Sequence, residues 1–274
     1  GLLGLGLILG FGALSRHQSR MYHDLDTLWE TTIARNPGSF MGHNNLGALH
    51  LRAGRVEQAV ASFERALEIK PRHIHALANL ANARLTQGRT AEALALFRET
   101  VALAPTDAKA HADLGQALET TGGAAAEAES LYRRALALDD TLAEGHFLLG
   151  RRLLASARIA DAAHHLERAT APHDGYAEAH YHLGLVRLAE ARPADAADCF
   201  RRTLDHEPDH VFALNNLGLL LLGAGRASEA APHHRRAAQL RPADSTTRHQ
   251  LARTLLAAGR PEEAIGELRE AIRL

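Results

Sequence analysis

Histidine is the side chain here best placed to do chemistry: the chain holds eighteen, with a single cysteine, Cys199. Imidazole ligates metals, relays protons and changes charge between about pH 5 and 8. His43, His111, His146 and His180 fall at one recurring position, and the pairs His164/His165 and His233/His234 at another. That recurrence matters more than the number, because it places the histidines on copies of one unit.

The interval is set by small residues. Gly47, Ala81, Gly115, Gly150, Gly184, Gly218 and Ala252 follow one another at steps of 34, 34, 35, 34, 34 and 34 residues. Each is preceded by a leucine (Leu46, Leu80, Leu114, Leu149, Leu183, Leu217, Leu251) and followed seven positions on by Gly54, Gly88, Gly122, Ala157, Ala191, Gly225 or Gly259. The second half of each copy carries an alanine, Ala59 in the first, and then a bulky residue: Phe63, Phe97, Tyr132, Leu166, Phe200, His234 and Leu268. Ala59, Phe63 and Ala66 lie four and three apart, on one face of a helix. Gly54 suits the left-handed end of a first helix, and Pro71 closes a second. One copy is thus a pair of helices that buries its apolar face on the next copy.

This pattern resembles the tetratricopeptide repeat (TPR), whose signature is L-G, A, F/Y, A and P. The resemblance covers 40–73, 74–107, 108–142, 143–176, 177–210, 211–244 and an incomplete 245–274. It implies an all-α fold: a right-handed TPR superhelix, an α-solenoid of stacked antiparallel helix pairs. Two departures stand out. The large aromatic early in the first helix is replaced by His43, Leu77, His111, His146, His180, Leu214 and Arg248, and one residue is inserted near Gly122–Ala126 as a longer turn.

Stacked helix pairs constrain the chemistry. A metal needs three or four donors around one ion, and rings on helices about 8–10 Å apart do not converge. No metal site and no cofactor are expected. HExxH, G-x-S-x-G and CxxC are absent, and the glycines of GAGRASEA, residues 223–230, surround Arg226 in a repeat turn instead of preceding Lys-Ser/Thr. No catalytic residue can be named. Cys199, beside Phe200, reads as an inert packed thiol and permits no internal disulfide. What remains for the histidines is acid sensitivity: protonating all eighteen takes the net charge from −1 to +17 (−1 + 18), and rings at packing positions lose stability on charging.

With 31 basic and 32 acidic residues and no Lys/Arg stripe, nucleic acid is not an expected partner. Residues 1–14, GLLGLGLILGFGAL, are wholly apolar. As a helix they rise about 21 Å, against a hydrocarbon core of about 30 Å. A secretory signal would carry a basic segment first, and a packing helix would show a polar face. We therefore read 1–19 as the end of a transmembrane helix with Arg16, His17 and Arg20 at the membrane surface, leaning cytoplasmic by the positive-inside rule. The chain reads as truncated at both ends and the protein as membrane-located, with the side of the repeats open.

Residues 20–39 read as half a repeat, since Leu25, Trp29 and Thr32 share a helical face and Pro37 stands 34 residues before Pro71. Read loosely from Arg20 to Pro37, this junction resembles that of transmembrane-and-TPR proteins of the O-mannosyltransferase type. There the catalytic acids belong to the membrane part, so none carries over to these residues.

Binding is expected on the first helices. The residues just before the signature leucine are Asn45, Asn79, Asp113, Leu148, His182, Asn216 and Gln250, six of them polar. An amide donates and accepts together, so such a row can hold an extended peptide backbone. The series resembles the asparagine ladder in the TPR arm of O-GlcNAc transferases; the competing reading is local bonding within an N-L-G repeat grammar. A second candidate surface is Phe147, Arg151, Tyr181 and Arg187. The function expected is a membrane-attached, non-catalytic scaffold for other proteins or extended peptides. The alternative is the accessory TPR domain of a multi-spanning membrane glycosyltransferase.

Overall fold

Apolar residues recurring three and four apart give helices wherever the repeat pattern runs. The computed structural model describes residues 25–171 and 176–274, and among these it holds fifteen α-helices and no strand. They begin with α1 (Leu25–Arg35) and the pair α2 (Phe40–Arg52) and α3 (Val56–Ile69). Next come α4 (Ile74–Thr86) with α5 (Thr90–Leu103), and α6 (Ala108–Thr120) with α7 (Ala125–Leu138). These lie in a first compact unit that ends at Asp140. The second unit runs from Thr141 to Leu274. It contains α8 (Ala143–Ala155) with α9 (Ile159–Thr170), and α10 (Ala177–Ala189) with α11 (Pro193–His206). It continues with α12 (Val211–Gly223) and α13 (Ala227–Leu240), then α14 (Ser245–Ala257) and α15 (Pro261–Arg273).

Within each unit a helix packs on its hairpin partner and on the adjoining pair, and first helices also meet at α2–α4, α4–α6, α8–α10 and α12–α14. The expected repeat positions do this packing. Phe63, Phe97 and Tyr132 are buried in the first unit, and Leu166, Phe200 and His234 in the second. Small residues opposite let the helices meet: a Cβ at Gly47 would lie 2.6 Å from the Phe63 ring, and one at Gly184 2.5 Å from that of Phe200. The turn position is left-handed throughout, with φ of 73° at Gly54 and 56° at Ala157 and Ala191. The inserted residue sits where expected, in a four-residue connection from Thr121 to Ala124; the corresponding turn after α2 has three, Ala53 to Arg55.

Histidines serve the first helices in two ways. At the start of the first helices, His73 Nδ1 accepts the Ala76 amide at 3.2 Å and His210 Nδ1 that of Ala213 at 3.1 Å. There they do the capping work of Ser39, Asp107 and Asp244 in other copies. Where the early aromatic is missing, His43 and His111 donate through Nε2 to the carbonyls of Pro37 and Pro105, at 3.1 and 3.0 Å. Arg248 donates to that of Pro242 at 2.9 Å. At these three positions the departure from the aromatic is thus a tie between the helix and the loop before it.

The apolar run 1–14 and the basic residues after it fall outside the described residues. Among the described residues, no helix is long and apolar enough to cross a membrane.

Candidate functional site

The ladder positions lie on the first helix of each pair, and each unit arranges them differently. In the first unit Asn79 Nδ2 donates to Asn44 Oδ1 at 3.0 Å, and Asn44 Nδ2 donates to Asn45 Oδ1 at 3.3 Å. Three amides from α2 and α4 thus form one relay. Asn44, which pattern reading passed over, is its buried middle member; the doubled asparagine of NNLG was the available signal. Asp113, on α6, accepts from Lys109 Nζ at 2.5 Å.

In the second unit Leu148 is fully buried and offers no rung. His182 Nδ1 donates to the Glu178 carbonyl at 2.9 Å. Asn216 hydrogen-bonds the Tyr181 phenol, whose pKa is nonetheless raised, chiefly by burial. Gln250 Oε1 accepts from Arg253 at 3.2 Å. Every rung therefore has a partner within the chain, and a guest backbone must use the remaining lone pairs and N–H groups or displace that partner. An amide has the capacity, with two donors and two acceptor sites.

Around Tyr181 the second unit gathers its aromatic side chains. Phe147 meets Tyr176 with centroids 4.9 Å apart and takes Arg151 over its face at 5.6 Å. Tyr181 lies 4.8 Å from the His210 ring and 6.3 Å from Phe212. Phe212 is 52% exposed and carries the Arg241 guanidinium at 4.8 Å. Burial pushes the Tyr176 phenol up to about 12. Of the second candidate surface, Phe147, Arg151 and Tyr181 thus belong to aromatic contacts. Arg187 does not: its side chain turns between helices to Glu167 and Glu190, and is 12% exposed.

Among the described residues one group of donors converges. Ligand atoms of Glu178, Glu207 and His210 lie within 4.8 Å of one another. Sequence reasoning compared only rings at equal repeat positions and missed a cap histidine meeting two carboxylates. The geometry does not suit a metal, however. His210 Nδ1 accepts the Ala213 amide, so its proton sits on Nε2, facing Glu178 Oε1 at 3.5 Å. Coordination through Nε2 would require an imidazolate or the loss of the helix cap. These residues form a close acid–imidazole contact. Cys199 is half-buried, and desolvation raises its thiol pKa, which disfavours the reactive thiolate.

Tandem antiparallel helix pairs, small residues at the crossings and a polar row on the first helices define a helical-repeat protein. Tetratricopeptide repeat family models match residues 39–106, 79–143, 147–192, 183–245 and 221–273, and the chain belongs to that family. No curated protein matches it. Among solved structures it is similar to the APC/C hetero-tetramer Cut9–Hcn1, at 16% identity and TM-score 0.76 over 88% of this chain. It spans about half of that chain, 48%. It is also similar to pilF of Pseudomonas aeruginosa (23%, TM-score 0.65, 72% of this chain and 90% of that one). The type IV pilus biogenesis factor PilW matches at 20% and TM-score 0.64, over 78% and 96%. These likenesses are of fold.

Proposed function

We propose that the chain is a protein-interaction scaffold, non-catalytic in the residues present, that takes an extended segment of a partner along its ladder positions. The observation carrying this reading is the Asn79–Asn44–Asn45 relay, since adjoining helices already transmit hydrogen bonds from amide to amide there. A peptide backbone offers the same groups. That one similar structure is a hetero-tetramer, Cut9–Hcn1, supports a role in assembly. The test is binding of a labelled, unstructured Ser/Gly-rich peptide to the chain and to its Asn45→Ala/Asn79→Ala variant. Two lost hydrogen bonds weaken binding on the order of tenfold. Equal binding at unchanged melting temperature removes the ladder from the site.

Membrane attachment through residues 1–14 is part of the proposal and is supported by the absence of any charge in that run. Flotation with phosphatidylcholine vesicles, with and without those residues, tests it; flotation of neither form rejects it. A second reading, the accessory domain of an O-mannosyltransferase-type membrane enzyme, is supported by the Arg20–Pro37 junction alone.

A further inference from the structure

The first helices α12 and α14 contain no Asp or Glu. Along α12, Phe212, Asn216 and Leu219 lie four and three apart, on one helical face. Along α14, Gln250 and Arg253 are neighbours three apart, whereas Leu256 lies about 120° round the helix from Gln250. Phe212, Leu219 and Leu256 are exposed large apolar side chains, at 52, 38 and 51%. An exposed apolar row beside amides, on a chain whose cores are otherwise well filled, marks a recognition surface.

Two arginines on it make no ion pair among the described residues. The Arg241 guanidinium carbon sits over the Phe212 ring with no carboxylate within 4.0 Å among the described residues, and Arg253 donates only to the neutral Gln250 amide. By contrast the arginines that open the second helices of these pairs, Arg226 and Arg260, are each neutralised by an acid three residues on, Glu229 and Glu263. Of the acids nearby, Asp244 at the start of α14 acts on Arg241 through its charge, while Glu178 lies 3.5 Å from His210 Nε2 and 3.7 Å from His182 Nδ1. A guanidinium stacked on an aromatic face keeps donors in its plane open for a carboxylate.

We propose that the ladder face of α12 and α14 recognises an extended peptide in which acidic side chains are interspersed with apolar ones. This rests on the peptide-scaffold reading above and names its ligand class. The backbone pairs with Asn216 and Gln250, the apolar side chains cover Phe212 and Leu219, and the carboxylates meet Arg241 and Arg253.

The test uses the full chain and three fluorescein-labelled peptides followed by anisotropy: repeated Asp-Leu-Ser, repeated Lys-Leu-Ser and repeated Ser-Gly-Ser. The Asp peptide is expected to bind about fivefold or more tighter than the Lys peptide, with the preference fading in high salt. Arg241→Gln/Arg253→Gln should abolish that preference and leave Ser-Gly-Ser binding unchanged. Asn216→Ala/Gln250→Ala should weaken all three. If Asp and Lys peptides bind alike while the amide variant still weakens both, the charge assignment is wrong and the ladder reading stands. If none of the three binds, both fall.

Discussion

His234 Nδ1 lies 2.8 Å from the Thr254 hydroxyl oxygen, and both residues are closed to solvent. His234 occupies the place of Phe63, Phe97 and Phe200 in other copies, so a titratable ring fills a gap built for an apolar one. Its Nε2 faces the Asn215 carbonyl at 3.3 Å, while the Thr254 hydroxyl also lies 2.9 Å from the Gln250 carbonyl. Desolvation lowers its pKa against that carbonyl bond, and His233 and Arg253 lower it further. His73, His182 and His233 are lowered too, again chiefly by burial.

Acid should therefore unfold the protein. The folded chain resists protonation at these rings, while the unfolded chain takes up protons near the ordinary 6.5. Their contribution is fully present above that pH and is lost as the pH falls through it. The melting temperature should drop between about pH 7.5 and about pH 5.5. His234→Phe should reduce the drop, and an unchanged slope would clear this ring of the effect.

Ala157→Gly and Ala191→Gly should each stabilise. Both alanines are held at φ 56°, which costs an L-residue about 1–2 kcal/mol. Glycine removes that strain but gives back about 0.4–1 kcal/mol through the unfolded chain. The net gain is about 0.5–1 kcal/mol per site, measurable by urea unfolding. A loss at either site would show that the turn is not strained.

Gly184→Ala should destabilise by about 1 kcal/mol, the middle of the net range. Overpacking against Phe200 costs about 1–3 kcal/mol, and the helix-propensity gain of about 1 kcal/mol offsets only part of it. Ala81 fills the same position opposite Phe97, so the hairpin spreads to accept a methyl and remains folded. Chemical denaturation gives the figure; a neutral result would mean the helices separate freely.

Arg187→Met should cost about 1 kcal/mol, because Glu167 stays half-exposed and can turn to water. The arginine's hydrogen bond is the main cause of the lowered Glu190 pKa. That contribution is present above the carboxyl's ordinary 4.5 and lost as pH falls below it. An NMR titration should find the Glu190 pKa raised in the variant. Arg84 stands at the equivalent position and pairs with Glu64 in the same way, so Arg84→Met should behave alike.

The helix pairs, their turns and their packing residues were legible in sequence because each depends on local spacing repeated seven times. Gly54 and Phe63 announce their roles by type. His73 and His210 did not, since nothing local tells a capping imidazole from a packing or exposed one. Arg187 was grouped with Phe147 and Tyr181 by composition, yet helix rotation turns it toward Glu167 and Glu190. Pro232 argues locally for a break, but α13 runs through it because Ala230, Ala231 and His234 are buried on the same helix. The Asn44 relay depends on an asparagine thirty-five residues away, which only the stacked geometry brings near.

Contacts within each unit reach no further than the adjoining hairpin. In the second unit, a mutation that reshapes α14 has no lever on α8, so selection can retune one rung while its distant neighbours keep their old specificity. Such a chain can change its guests piecemeal, as a comb can lose or gain a tooth and still part the hair.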